Sequence, residues 1–190
     1  SPGYQSLELG YLRSYGQTDD RLKGRVGFQT LDLTTEIDAW WAAYRVLELK
    51  PDVLGVSVTC WSARAVFDVC RIVKSAMPSV RIVLGGPEVG PIAEEVLKQH
   101  PEIDAIVRSE GEVTFAELLR ALATGRDAWR VEGISARAGD GSIVSAPDRA
   151  LIADLDSIPS PYLTGVMSPF EGAGYIETYR GCPHQCGYCF

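Results

Sequence analysis

Val80-Arg81-Ile82-Val83-Leu84-Gly85-Gly86-Pro87-Glu88 is the stretch that decides the fold. A short apolar run bounded by turn residues reads as a buried β-strand, here stopping in a loop of two glycines and a proline. The same grammar recurs on either side. Upstream, Val53-Leu54-Gly55-Val56-Ser57-Val58-Thr59 is nearly continuous in apolar character, as expected of a strand covered on both faces. Downstream, Ala105-Ile106-Val107 is a strand that leads into Glu110-Gly111-Glu112. Helical patterns separate these runs. From Ala63 to Ala76 the periodicity places Val66, Val69, Cys70 and Val73 on one face, and Met77-Pro78-Ser79 breaks it. Further helices are expected from after Glu88 to about Gln99 and from the Glu110 turn to Ala123. Strands alternating with helices in this way predict an α/β fold, a doubly wound parallel sheet with right-handed crossovers.

Outward from this centre the pattern loosens. A helix is expected from about Glu36 to Leu49, closed by Lys50-Pro51-Asp52, because proline disfavours helix in the residue before it. Val26 to Leu33 alternates as a strand, and Leu7, Leu9, Tyr11 and Leu12 suggest a first helix entered from Ser1-Pro2-Gly3. Two readings of that beginning stand open: a first strand precedes Ser1, or the sheet starts at Val26. After Gly125 the character changes. Val131–Arg137 and Ser142–Ser145 flank Gly139-Asp140-Gly141, a β-hairpin signal. Leu155-Asp156-Ser157-Ile158-Pro159-Ser160-Pro161-Tyr162-Leu163 follows as a stiff extended connector. A new strand is expected from Tyr175 to Arg180, running into Gly181-Cys182. The expected division is therefore 1–125, 126–170 and 171–190.

The chain has 190 residues, 46% apolar and 23% charged, which is ordinary globular composition. Eighteen Lys+Arg against 25 Asp+Glu give a net charge of −7, unsuited to a general nucleic-acid binder. No run is long and apolar enough to span a bilayer, and no signal-peptide pattern is visible, so neither membrane nor export is expected. Five cysteines, three of them at the end of the chain, do not form a secreted disulfide framework; they read as thiolate ligands in a reducing, cytoplasmic setting.

Those three are Cys182, Cys186 and Cys189 in Cys182-Pro183-His184-Gln185-Cys186-Gly187-Tyr188-Cys189, a CxxxCxxC loop. Structural zinc wants four ligands, and His184 is the nearby candidate for a fourth. An iron–sulfur cube held by three cysteines keeps one iron open, which is useful when something other than protein binds there. A ferredoxin-like cluster lacking its last ligand is the remaining alternative. The loop resembles the cluster motif of radical S-adenosylmethionine (SAM) enzymes, including the aromatic Tyr188 before the last cysteine. The resemblance implies a [4Fe-4S] cluster on Cys182, Cys186 and Cys189, SAM chelated at the open iron with Tyr188 beside its adenine, and reductive cleavage of SAM to a 5′-deoxyadenosyl radical. It also implies an external electron donor and a β/α barrel, of which Tyr175–Arg180 is the first strand and most of which would follow Phe190.

The domain in front extends the likeness over nearly the whole chain. Leu84-Gly85-Gly86-Pro87-Glu88, Val107-Arg108-Ser109-Glu110-Gly111-Glu112, Ile158-Pro159-Ser160-Pro161-Tyr162 and Arg180-Gly181-Cys182-Pro183, in this order, resemble the cobalamin-binding branch of radical SAM enzymes. Open α/β sheets bind ligands at the carboxyl ends of their strands. Glycine permits close backbone approach, and a helix start offers free amides. The resemblance thus implies a Rossmann-like domain with cobalamin contacts from Thr59, Cys60, Trp61 and Ser62, from Gly85, Gly86, Pro87 and Glu88, and from Ser109, Glu110, Gly111 and Glu112. In the bland alternatives the glycines serve tight turns, Trp61 and Cys60 fill the core, and the three glutamates suit helix N-termini. Cys70 is expected in the core, and Trp40-Trp41 in packing. The DxHxxG loop of many cobalamin domains is absent from the sequence, so cobalamin is expected without a histidine beneath cobalt. Arg64 stands near that lower face, or is a solvated surface arginine. The implied activity is methyl transfer from SAM by way of cobalamin to an unactivated carbon or phosphorus centre of a small-molecule, peptide or natural-product substrate. The alternatives are ring contraction or cyclisation in the same family, and a non-catalytic α/β module with a structural metal loop. No catalytic residue is singled out.

Overall fold

The computed structural model describes residues 6–33, 37–169, 174–182 and 184. Helix α1 (Leu7–Thr18) starts at Ser6, whose hydroxyl accepts from the Leu9 amide. Helix α2 (Ala39–Leu49) is capped by Asp38, whose carboxylate accepts from the amides of Trp40 and Trp41. It ends at Lys50, left-handed at φ 47, just before Pro51. Strands β1 (Val53–Ser57), β2 (Arg81–Gly85) and β3 (Ala105–Val107) alternate with helices α3 (Ala63–Ala76), α4 (Ala93–Gln99) and α5 (Gly111–Ala123). Strands β4 (Ile134–Arg137) and β5 (Ile143–Ser145) complete one five-stranded sheet in the order β1-β2-β3-β4-β5.

The first three strands are parallel, with Val53 opposite Arg81 and Leu84 opposite both Val56 and Ile106. The strand period of two then sorts the side chains into two layers. Ile82, Leu84 and Ile106 join Cys70 and Val73 of α3 and Val96 and Leu97 of α4 in one core. Val83, Ala105 and Val107 join Leu118 and Ala121 of α5 and Ile134 and Ala136 of β4 in the other. Helices therefore cover both faces, as the alternating pattern predicts. Helix α3, strand β3 and helix α5 lie where the periodicity places them.

The sheet departs from the expectation in three places. The hairpin is not separate from it: β4 pairs antiparallel with β3, Ile106 opposite Ser135, so the parallel sheet continues as a mixed one. Arg108 fastens this junction by donating to the Ser135 hydroxyl at 2.7 Å and to the Ala146 carbonyl. Next, β1 packs on both faces, Leu54 and Val56 against one core and Val53 against the other, but its outer edge is open. It is the end strand, half-buried with Gly55 exposed, and has no ladder partner on its outer side among the described residues. Finally, Val26–Leu33 forms no strand. Val26 and Phe28 pack against Leu22, Ala116 and Leu119, but a cavity separates this segment from β1. Strands must approach to about 4.8 Å to form a ladder. The sheet thus does not start at Val26. Helix α2 starts later than expected, at its Asp38 cap, and α4 starts at Ala93, beyond Gly90 and Pro91. Residues 174–182 run as irregular chain, because a strand needs a ladder neighbour and none lies beside them among the described residues. No helix among the described residues is long and apolar enough to cross a membrane.

Candidate functional site

A cavity of about 1390 Å³ lies over the carboxyl ends of β2 and β3 and extends along the free edge of β1. Ordinary small-molecule pockets run to roughly 300–1,000 Å³, so this one has room for a macrocyclic group. Its walls are mainly apolar: Leu9 and Leu12 from α1, Val26, Phe28 and Leu31, the edge residues Val53–Ser57, and Phe115 and Leu119 from α5. The polar end is built from Gly85, Gly86 and Pro87 after β2 and from Ser109, Glu110, Gly111 and Glu112 after β3.

The two glycines after β2 play different parts. Gly86 sits at φ 104, and a Cβ there would lie 2.5 Å from the Val58 carbonyl oxygen. The close approach it permits is therefore to protein backbone, tying the loop after β2 to the chain after β1; Val58 N–H donates to the Gly85 carbonyl at 2.8 Å. At Gly85 a Cβ would meet only ordinary contacts with Val107, so its bare backbone is turned to the cavity without being demanded by packing. Ser109 is left-handed at φ 59, a conformation that costs a non-glycine residue about 1 kcal/mol or more. The turn it makes starts α5 at Gly111, whose missing Cβ leaves Leu12 of α1 room to approach.

Glu110 and Glu112 line the cavity, and both are also ion-paired to Arg180, at 3.1 and 2.8 Å. Arg180 receives the carboxylate of Glu177 as well, at 2.7 Å. The hydrogen bonds it donates to Glu177, then Glu112 and Glu110, raise the guanidinium's pKa. The Tyr11 ring lies 5.9 Å from the guanidinium carbon, and burial followed by the nearby Glu177 raises the Tyr11 pKa. Burial likewise raises the pKa of Asp32.

Other residues singled out in the sequence lie elsewhere. Thr59, Cys60, Trp61, Ser62, Arg64 and Glu88 are not in the cavity wall. Thr59 and Ser62 bond each other, hydroxyl to hydroxyl at 3.2 Å, and the Ser62 hydroxyl accepts from the Thr59 amide at 3.1 Å. Trp61 is 83% exposed, so it does not fill the core, and neither does the exposed Cys60. Arg64 is exposed on the first turn of α3. Glu88 is half-buried, its amide directed at the Val58 carbonyl. Trp40 and Trp41 are not packing residues: they are 70% and 49% exposed, and Trp41 stacks on Tyr44. Cys70 is in the core, and burial pushes its thiol pKa up to about 12. His100 lies before β3, at the sheet's amino end, stacked on Phe67 and beside Glu102.

Cys182 and His184 are exposed. Cys186, Cys189 and Tyr188 lie outside the described residues. Among the described residues no group of three or more His, Cys, Asp or Glu gathers to hold a metal. The donor set in the sequence remains three thiols on one loop, which suits an iron–sulfur cube with one open corner. The apolar cavity with a bare-backbone, amide-bearing end suits a large, flat, partly polar group. Sequence reasoning missed Leu9, Leu12, Phe28 and Phe115 as walls and missed Arg180 as a partner of the β3–α5 loop. Arg180 could have been noticed only as the residue preceding Gly181-Cys182; its partners are distant in sequence.

Comparison with known proteins places these features in context. Residues 23–119 match the family described as B12 binding domain. The chain is 34% identical over 197 residues to the cobalamin-dependent radical SAM methyltransferase TokK of Streptomyces tokunonensis, covering 96% of this chain and 28% of that protein. It is 32% identical over 199 residues to an anaerobic magnesium-protoporphyrin IX monomethyl ester cyclase of Rubrivivax gelatinosus, covering 99% of this chain and 34% of that protein. Among solved structures, the cobalamin-dependent SAM radical enzyme OxsB superposes with a TM-score of 0.72 at 24% identity, over 96% of this chain and 25% of OxsB. The methyltransferase TsrM of Kitasatospora setae, with cobalamin and a [4Fe-4S] cluster bound, gives 0.64 at 19% identity, over 86% of this chain and 30% of TsrM. These likenesses to solved structures establish the fold. The chain spans about a third or less of the length of these relatives.

Proposed function

The chain belongs to the B12 binding domain family, and from that premise we propose that its rim holds cobalamin as one part of a radical SAM methyltransferase. The observation that carries this reading is the cavity of about 1390 Å³ at the glycine-bearing carboxyl end of the parallel strands; the strands themselves lie within the matched stretch. In this proposal residues 1–125, with the sheet extended by the hairpin over 134–145, hold cobalamin, the rest of 126–170 connects, and 171–190 begin the part that carries the cluster.

Gly85 and Pro87 present backbone to the bound group, and Gly111 starts a helix whose free amides receive its polar side chains. Phe115, Leu12 and the edge of β1 exclude water from its apolar face. Gly86 acts indirectly, by holding the loops after β1 and β2 together. Thr59, Cys60, Trp61, Ser62, Arg64 and Glu88 lie outside the cavity wall and would meet cobalamin only where it projects from the cavity, with Trp61 offering an exposed aromatic face. Cobalamin would be held there by shape and backbone, without a histidine beneath cobalt. Cobalamin, when bound, supplies a cobalt centre able to accept and release a methyl group. Cys182, Cys186 and Cys189 would hold a [4Fe-4S] cluster with SAM at its open corner and Tyr188 beside the adenine, fed by an external electron donor. The whole protein would pass a methyl group from SAM by way of cobalamin to a carbon or phosphorus centre of a small-molecule, peptide or natural-product substrate. Similarity to the cyclase supports ring-forming chemistry as the second reading.

The test is addition of hydroxocobalamin followed by gel filtration. A coloured protein peak with a base-off visible spectrum is the expected result. Cobalamin eluting free of protein overturns the reading. Reconstitution with iron and sulfide tests the cysteines separately.

A further inference from the structure

We infer that Arg180 is a positioning residue that docks the cysteine-bearing segment onto the rim of the sheet through Glu110 and Glu112. The docking stands on geometry; its consequence for a cluster rests on the assignment of Cys182, Cys186 and Cys189 proposed above. Arg180 precedes Cys182 by one intervening glycine. Its Nη1 donates to Glu110 Oε1 at 3.1 Å and its Nη2 to Glu112 Oε1 at 2.8 Å, while Nε and Nη2 donate to the Glu177 carboxylate. A guanidinium presents its N–H groups as a rigid planar fork. Bonds to two carboxylates on one helix start therefore fix the orientation of the chain as well as its charge.

Two features separate this from an incidental surface pair. The Glu112 side chain is 7% exposed, so without Arg180 it would be a buried carboxylate lacking its counter-charge. Glu110 uses its other oxygen to accept from the Ile152 amide, so one carboxylate joins the rim, the connector and the segment before Cys182. A second clip lies nearby, where the Tyr175 amide donates to the Tyr162 hydroxyl at 2.9 Å. The connector is itself anchored on α1: the Ser14 hydroxyl donates to the Pro159 carbonyl at 2.9 Å, and Gly10 gives Met167 room. The same short loop thus lines the cavity and grips the chain leading to the cysteines. Position at one site is transmitted to the other through Arg180.

The test uses the full chain, purified anaerobically, as wild type and as Arg180→Gln, Arg180→Lys and Glu112→Gln. Limited chymotrypsin cleavage after Tyr175 and Tyr179 reads docking without any bound group. The glutamine variants should speed cleavage there by roughly tenfold or more, Arg180→Lys should fall between, and cleavage after Tyr44 of α2 should be unchanged. After iron and sulfide reconstitution, Glu112→Gln should also shift the cluster's electron paramagnetic resonance spectrum, although it touches no cysteine. Unchanged cleavage after Tyr175 and Tyr179 overturns the inference. So does faster cleavage throughout the chain in all three variants, which would mean the network holds the domain and not the segment. If wild type takes up no cluster, the cysteine assignment fails, while the cleavage result still decides the docking.

Discussion

The loops that follow β2 and β3 and the loop that follows β1 hold equivalent stations at the carboxyl ends of adjoining parallel strands, yet only the first two face the cavity. The loop after β2 is drawn in by Gly86, whose backbone presses on Val58, and the loop after β3 is drawn in by left-handed Ser109 and the Arg180 pairs. The loop after β1 instead satisfies itself, Thr59 with Ser62, and leaves Trp61 in solvent. A loop between two strands is shaped by neighbours on both sides; one that follows an end strand has a neighbour on one side and turns outward. Similar turn chemistry therefore yields a cavity wall in two cases and an outward-turned loop in the third.

The contrast breaks most severely at Gly86. A Cβ at Gly86 meets backbone on a positive-φ residue, so Gly86→Ala should destabilise the fold by about 3 kcal/mol, read as a lowered urea midpoint. Gly85→Val sharpens the comparison, since Gly85 faces the cavity with only ordinary packing around it. Stability should change by less than about 1 kcal/mol while cobalamin affinity, by absorbance titration, drops about tenfold or more. Trp61→Ala should be milder, leaving the urea midpoint in place and weakening cobalamin binding by about fivefold, the scale of one aromatic contact. Equal losses at Gly85 and Trp61 would erase the distinction between cavity wall and outward-turned loop.

The last comparison concerns the thiols. Cys60 and Cys182 are exposed and should react with maleimide in the native chain, whereas Cys70 should react only on unfolding. Burial raises the Cys70 pKa from 9.0 to about 12, so the unfolded chain gives up that proton first. Its contribution to stability is intact below about pH 9 and is lost progressively as pH climbs toward about 12, visible as a falling urea midpoint over that range.

Much of the fold was legible because it is written in local periodicity. Val66, Val69, Cys70 and Val73 announce the buried face of α3, and Ala105–Val107 needs only its apolar run. Val26–Leu33 has an equally good strand pattern and forms none, because a ladder requires a neighbour that alternation within the segment does not supply. The apolar run of β1 announced packing on both faces, which Leu54, Val56 and Val53 provide, but not that the strand would be last in the sheet and half-buried. In the site, glycine and carboxylate positions were visible in the sequence. Whether each glycine serves packing or a ligand was not, since Gly85 and Gly86 are adjacent and differ only in what stands opposite them.

By itself the sequence determined the central alternation of strand and helix, the residues buried on α3, the hairpin and the three-thiol loop, all of which depend on spacing along the chain. The tertiary structure alone decided which strand lies at the end of the sheet, that the hairpin extends it, which loops enclose the cavity and that Arg180 meets Glu110 and Glu112. Those outcomes depend on distances between residues far apart in the chain, and they are set when whole layers pack.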